Sequence, residues 1–163
     1  ATLATEALFS AFLGDRRNTL YHGHSYTGNP LACAAALANL DLFEDLLPML
    51  PEKERVLSER LEPFHALPYV GDVRRRGFMV GFELVMDKAT RHPFPAGALA
   101  GYVVADAARE RGMLIRPIGN VVIFMPPLAS SNEALREMVA ILHAAFQAAT
   151  PALEQAALSS QST

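Results

Sequence analysis

Cysteine occurs once in 163 residues, at Cys33. That excludes an internal disulfide framework and every cysteine-rich zinc site, and it suits a reducing compartment, the cytoplasm. Positive charge is also scarce. Fourteen Lys and Arg against 17 Asp and Glu leave a formal net charge of −3, so no field is present that would hold a phosphate backbone by counterion release, and nucleic acid is not an expected partner. Long apolar runs are missing as well. The densest stretch, Leu31 to Leu50, is interrupted by Asn39, Asp41, Glu44 and Asp45, well short of the about 20 residues that a membrane span needs. The chain opens at Ala1 without the basic and apolar regions of a secretion leader, and is expected to be a piece of a longer polypeptide whose upstream part carries some of the chemistry.

A hydrophobic content of 51% is enough for one packed core. Leu3, Ala7, Leu8, Ala11 and Phe12 recur at three- and four-residue steps and predict a short helix over 2–13, stopped by Gly14. Arg16 to Asn29 is polar and glycine-containing, and reads as a loop. Asn29 stands where an N-cap belongs and Pro30 where a first helical residue belongs, so a long helix is expected to about Leu47. Its alanines, Ala32 to Ala38, predict close packing and burial. Pro51 and Glu52 open a second helix with the stripe Val56, Leu57 and Leu61, and Lys53 is read onto its polar face. Period-two spacing from Val73 to Val85 predicts one strand covered on both faces. A helix is expected over 98–111, ended by Gly112. Met113–Arg116 and Val121–Met125 read as a hairpin around Pro117-Ile118-Gly119-Asn120. Ser130 and Glu133 stand in capping-box register before a last helix with Leu135, Val139, Leu142 and Phe146 on its buried stripe. Fraying is expected beyond Pro151. The elements make an α+β fold with no internal repeat.

Few residues carry chemistry by pattern alone. The segment Tyr21-His22-Gly23-His24-Ser25-Tyr26-Thr27-Gly28-Asn29 concentrates hydroxyls and glycines before a helix N-terminus, where free N–H groups favour an anion such as phosphate. Spacing alone favours a plain capped turn, since Ser, Thr, Asn and Gly are ordinary turn and cap residues. His22 and His24 lack further ligands at metal spacing, and Cys33 reads as a small core residue. Arg116 shares an apolar neighbourhood with Met113, Leu114, Ile115, Pro117 and Ile118, where a guanidinium needs an acceptor. A bound carboxylate, an internal ion pair or an arginine swung out at the turn each satisfies it. Arg74, Arg75 and Arg76 read as a solvated or interface strand. The two lysines, Lys53 and Lys88, lie in no pocket suited to Schiff-base chemistry.

Three blocks in order, HGHSYTGNPLACAAALANLDLFE (His22 to Glu44), VGDVRRRGFMVGFELVMDK (Val70 to Lys88) and GMLIRPIGNVVIFMPPL (Gly112 to Leu128), resemble the C-terminal portion of class III pyridoxal-phosphate aminotransferases. The likeness reaches to about Thr150. It implies the C-terminal part of a fold type I transferase: residues 1–47 as the end of the large cofactor domain with phosphate loop and interdomain helix, 48–150 as a small domain with a short, mostly antiparallel sheet and flanking helices, and 151–163 as a frayed tail. It implies pyridoxal 5'-phosphate as cofactor and a homodimer in which Gly23, His24 and Ser25 bind the cofactor phosphate of the other subunit. Ser25 stands where the family usually has threonine. The resemblance assigns Arg116 to the substrate carboxylate.

The activity implied is amino transfer to 8-amino-7-oxononanoate with S-adenosylmethionine as donor. The alternatives are another class III enzyme acting on an ω-amino acid, and a noncatalytic α+β module that binds a partner protein. In the family, the lysine that holds the cofactor covalently, the aspartate on its pyridine nitrogen and the aromatic residues over its ring precede the matching segment. Lys53 and Lys88 match no such motif, so this stretch by itself is not expected to transaminate.

Overall fold

A computed structural model describes residues 2–160. The chain divides into two units, Ala1–Phe43 and Glu44–Thr163. The division falls within a helix, four residues before the expected 47/48 boundary.

In the first unit, α1 (Glu6–Ser10) starts where Thr5 Oγ1 accepts the Leu8 N–H at 3.3 Å. It is shorter than the apolar spacing suggests, since a single amphipathic turn has no surface of its own unit to cover. Helix α2 (Pro30–Leu46) begins as expected. Asn29 Oδ1 accepts the Ala32 N–H at 3.0 Å, the Asn29 carbonyl accepts that of Cys33, and Pro30 takes the first position, where no donor is needed. Burial of α2 is not observed. None of its residues is buried, and Leu31, Leu37 and Leu40 are exposed, because its small alanine side chains meet no packed surface within the unit.

The second unit holds the core. Helix α3 (Leu50–Leu61) leads to β1 (Val70–Arg76), β2 (Met79–Asp87), β3 (His92–Pro93), α4 (Ala100–Arg109), β4 (Arg116–Ile118), β5 (Val121–Phe124) and α5 (Asn132–Ser160). The sheet runs β1-β2-β5-β4 with β3 paired to β2, and every pairing is antiparallel. The expected single strand over 73–85 is two. Gly77, with φ of +57°, turns the chain so that Arg76 faces Met79, a hairpin with glycine at the position a type II′ turn requires. Arg74 bonds Asp72 at 3.1 Å and Glu83 across this hairpin, and these acceptors raise its pKa. The second hairpin is present but sits closer to its turn than expected, with Gly119 at φ of +56°.

One face of the sheet is buried. Val80, Phe82 and Leu84 of β2 and Val122 and Phe124 of β5 pack with Val56, Leu57 and Leu61 of α3, Val104 and Ala108 of α4, and Leu135, Val139, Leu142 and Phe146 of α5. Phe64 centres this core, its ring 4.6 Å from that of Phe82 and 5.4 Å, edge-on, from that of Phe146. The opposite face is covered only at its Val85 end: Val85 is buried, Gly81 and Glu83 are half-buried and Met79 is exposed, so the expected cover on both faces is not found along the whole strand.

Two further expectations change at α5. Its cap is Ser131, whose Oγ accepts the Ala134 N–H at 3.1 Å, while the Ser130 N–H closes a turn onto the Pro127 carbonyl. The helix also continues through Pro151 instead of fraying there. Leu153 and Ala157 extend its buried stripe, and Thr150 Oγ1 donates to the Phe146 carbonyl at 3.0 Å, so packing outweighs the hydrogen bond that proline forfeits. Residues 161–163 of the expected tail lie outside the described residues. No helix among the described residues is long and apolar enough to cross a membrane.

Candidate active site

The polar loop belongs to the first unit. His24 organises it twice: its carbonyl accepts the Thr27 N–H at 3.0 Å, and its ring Nδ1 accepts the Tyr26 N–H at 3.2 Å, which places the ring proton of a neutral imidazole on Nε2. Gly28, at φ of +68°, then turns the chain into the Asn29 cap. Gly23 has open space where a Cβ would stand, and Ser25 is exposed with its hydroxyl free of partners among the described residues. Gly23, His24 and Ser25 thus line an accessible turn five to seven residues before Pro30. An unpaired hydroxyl beside a flank without side-chain bulk fits the phosphate end of a cofactor.

Arg116 belongs to the second unit and opens β4. Cross-strand register sets Arg116 opposite Ile123, Ile123 opposite Gly81 and Gly81 opposite Arg74, a row on the uncovered face of the sheet. The alternation that buries Pro117 sends Arg116 away from the core. Of the three readings open for its guanidinium, the internal ion pair is absent among the described residues, and Arg116 is exposed, as both the outward-turned and the carboxylate-binding readings require. Arg116 instead borders a cleft of about 620 Å³ whose other lining residues are uncharged, chiefly Met113, Ile115, Ile118, Ile123, Met125 and Pro126. A lone guanidinium in an apolar cleft suits a carboxylate that ends an aliphatic chain.

The remaining candidates carry less. Cys33 is exposed rather than in a core, because α2 is uncovered in its unit. The His22 and His24 rings stand 6.2 Å apart, and no group of three metal-ligating side chains exists among the described residues. Lys88 Nζ donates to the carbonyls of His65 and Leu67 at 2.7 and 3.0 Å. Lys53 corrects the sequence reading: it is 7% exposed, and its Nζ donates to the Leu128 carbonyl at 2.8 Å. The signal was in the spacing, since Lys53 precedes Val56 and Leu57 by three and four residues and so lies on the buried stripe.

Comparison with known proteins identifies the family. Residues 1–146 match the aminotransferase class-III family. The adenosylmethionine-8-amino-7-oxononanoate aminotransferase of Anoxybacillus flavithermus is 49% identical over 150 residues, covering 90% of this chain and 33% of the relative. The crystal structure of the Methanocaldococcus jannaschii enzyme of the same name superposes with a TM-score of 0.81 at 43% identity, covering 88% of this chain and 34% of that one. An amine transaminase from an uncultivated Pseudomonas species, solved in its PLP-bound form, gives a TM-score of 0.71 at 42% identity, covering 80% of this chain and 30% of that one. The chain therefore spans about a third of the length of the relatives it matches. With the family matched over nearly its whole length and the α+β fold shared at high identity, the chain belongs to the class III aminotransferases.

Proposed function

We propose that this chain supplies the small domain, a substrate-carboxylate anchor and a cofactor-phosphate loop to a pyridoxal-phosphate-dependent aminotransferase. That enzyme converts 8-amino-7-oxononanoate to 7,8-diaminononanoate, in biotin biosynthesis, with S-adenosylmethionine as amino donor. The observation that carries the reading is the pairing of Arg116 with an otherwise uncharged cleft. The substrate has the matching form, a carboxylate at one end of a methylene chain. Relatives named for this activity at 43 to 49% identity support it.

Each residue then has a physical task. Pyridoxal phosphate, when bound, supplies the electron sink that lets an amino group leave one carbon and join another. Arg116 takes the substrate carboxylate in a two-point, charge-assisted contact and so fixes the distance of the far end from the anchor. Met113, Ile118, Ile123 and Met125 shed water from the methylenes between. In the proposed homodimer, Ser25 donates its hydroxyl to the cofactor phosphate of the partner subunit, Gly23 lets the loop approach, and His24 holds the turn. Lys53 and Lys88 take no part in holding the cofactor, since both ammonium groups are committed to backbone carbonyls. The reading places the enzyme in the cytoplasm.

The test uses the full-length enzyme that carries this segment. Arg116→Ala is expected to remove about 2 to 3 kcal/mol of substrate binding, raising KM for 8-amino-7-oxononanoate about 30- to 160-fold with kcat little changed. Amino transfer from S-adenosylmethionine to 8-amino-7-oxononanoate, with none from an ω-amino acid to pyruvate, supports the donor. The reverse assigns the chain to an ω-amino acid aminotransferase. Unchanged KM in Arg116→Ala together with unchanged cofactor affinity in Ser25→Ala leaves a noncatalytic module.

A further inference from the structure

Lys53 is the one charged side chain buried in the described residues, and no role has so far been given to it. Taking an ammonium out of water is unfavourable unless something is gained by the bond it makes. Its neighbours on α3 do not neutralise it: Glu52 is engaged by Arg55, and Glu54 by Arg75. Its hydrogen bond reaches 75 residues along the chain to the Leu128 carbonyl. Leu128 closes the segment that leaves β5 and forms one wall of the Arg116 cleft through Met125, Pro126 and Pro127. Pro126 is buried and Leu128 packs on the core, but that wall has few backbone hydrogen bonds to fix its position. Pro126 and Pro127 have no N–H to give, and the carbonyls of Pro127 and Leu128 are taken by the Ser130 N–H and by Lys53.

We infer that Lys53 is a positioning residue for the substrate: its buried ammonium pins Leu128 and thereby holds the Met125–Pro127 wall at the width that seats an aliphatic carboxylate on Arg116. The inference rests on the proposed role of Arg116. Lys53 touches neither substrate nor cofactor. It acts through the backbone of the wall, so its loss should loosen binding of the chain-bearing substrate and leave amino transfer from the donor intact.

The experiment compares Lys53→Met, Lys53→Arg and Arg116→Ala in the full-length enzyme. Lys53→Met keeps the side-chain volume and removes the donor. It is expected to raise KM for 8-amino-7-oxononanoate about tenfold while kcat and the KM for the amino donor stay within twofold. Its melting temperature should stay level or rise, because an apolar side chain is at home in that site. Lys53→Arg keeps a donor and should restore KM to within threefold. An unchanged KM in Lys53→Met, or a rise that Lys53→Arg fails to reduce, overturns the inference. So does a rise matched by equal losses of melting temperature in both variants. If Lys53→Met does not fold, Lys53→Gln, a neutral donor, is read against the same limits, with KM near wild type expected and a tenfold rise overturning. Should Arg116→Ala leave KM unchanged, the anchor reading itself fails. A response to Arg116→Ala without one to Lys53→Met removes only the inference about Lys53.

Discussion

Gly101 of α4 and Gly119 of the β4–β5 turn meet backbone to backbone: a Cβ on Gly101 would stand 2.4 Å from the Gly119 carbonyl oxygen and 2.7 Å from Cβ of Pro117. The strand that carries Arg116 therefore rests on a helix at the one point where that helix has no side chain. A helical glycine is ordinarily a weakness. Here it permits an approach that no other residue allows.

Gly101→Ala follows directly. Helix propensity favours alanine by about 1 kcal/mol, but the methyl group meets backbone that cannot rotate away, and overpacking of this kind costs about 1 to 3 kcal/mol. The expected net loss is about 0 to 2 kcal/mol, read from the urea unfolding midpoint. In the full-length enzyme the displaced hairpin should also raise KM for the carboxylate substrate.

Gly71 sets a second close contact, since a Cβ there would lie 2.6 and 2.7 Å from the two methyl carbons of Val85. Gly71→Ala is expected to destabilise by about 1 to 3 kcal/mol. Val85→Ala removes the obstructing methyls, so the double variant should be more stable than the sum of the two single losses by at least about 1 kcal/mol in a double-mutant cycle.

Ser25→Ala tests the phosphate loop. Losing a hydroxyl bonded to a charged oxygen costs on the order of 1.5 kcal/mol, so pyridoxal phosphate should bind about tenfold more weakly in the full-length enzyme, followed by absorbance on dialysis. Ser25→Thr should bind as the wild type does. Equal retention by the alanine variant would remove Ser25 from the site.

Asp87 gives a pH-dependent loop. Its carboxylate accepts the Thr90 N–H at 2.7 Å and the Thr90 hydroxyl at 2.9 Å, and these bonds lower its pKa. A carboxyl whose folded pKa is depressed stabilises its loop above the unfolded value and loses that contribution as pH falls through the folded one. Hydrogen-exchange protection of the Thr90 amide, corrected for intrinsic rate, should drop across that acidic range in the wild type. Asp87→Asn should show no such step.

Much of the local structure could be read from short spans. Asn29-Pro30 marks the start of α2 because an Asn side chain and a proline ring act on amides within one turn. The stripe of α5 and the turn at Gly119 are likewise short-range patterns. Reading 73–85 as one strand failed because apolar alternation continues across a two-residue turn, and only Gly77 betrays it. For the site, the polar loop from Tyr21 to Asn29 and Arg116 could be singled out by type and order, and Gly23, His24 and Ser25 within that loop only by the resemblance to the family, whereas the cleft beside Arg116 could not be read at all. Its lining comes from residues 113–127 and from Met138 on α5, a grouping that no local spacing encodes.

By itself the sequence determined the class of fold, the order of the helices and the turn before α2, since these follow from backbone preferences and side-chain spacing over a few residues. Tertiary structure alone decided that Lys53 is buried and tied to Leu128, that Arg116 faces away from the core, and that α5 outlasts Pro151. Those outcomes depend on which surfaces meet across separations such as the 75 residues between Lys53 and Leu128. Burial and hydrogen-bond partners at that range are properties of the packed unit, where desolvation and contact are settled together.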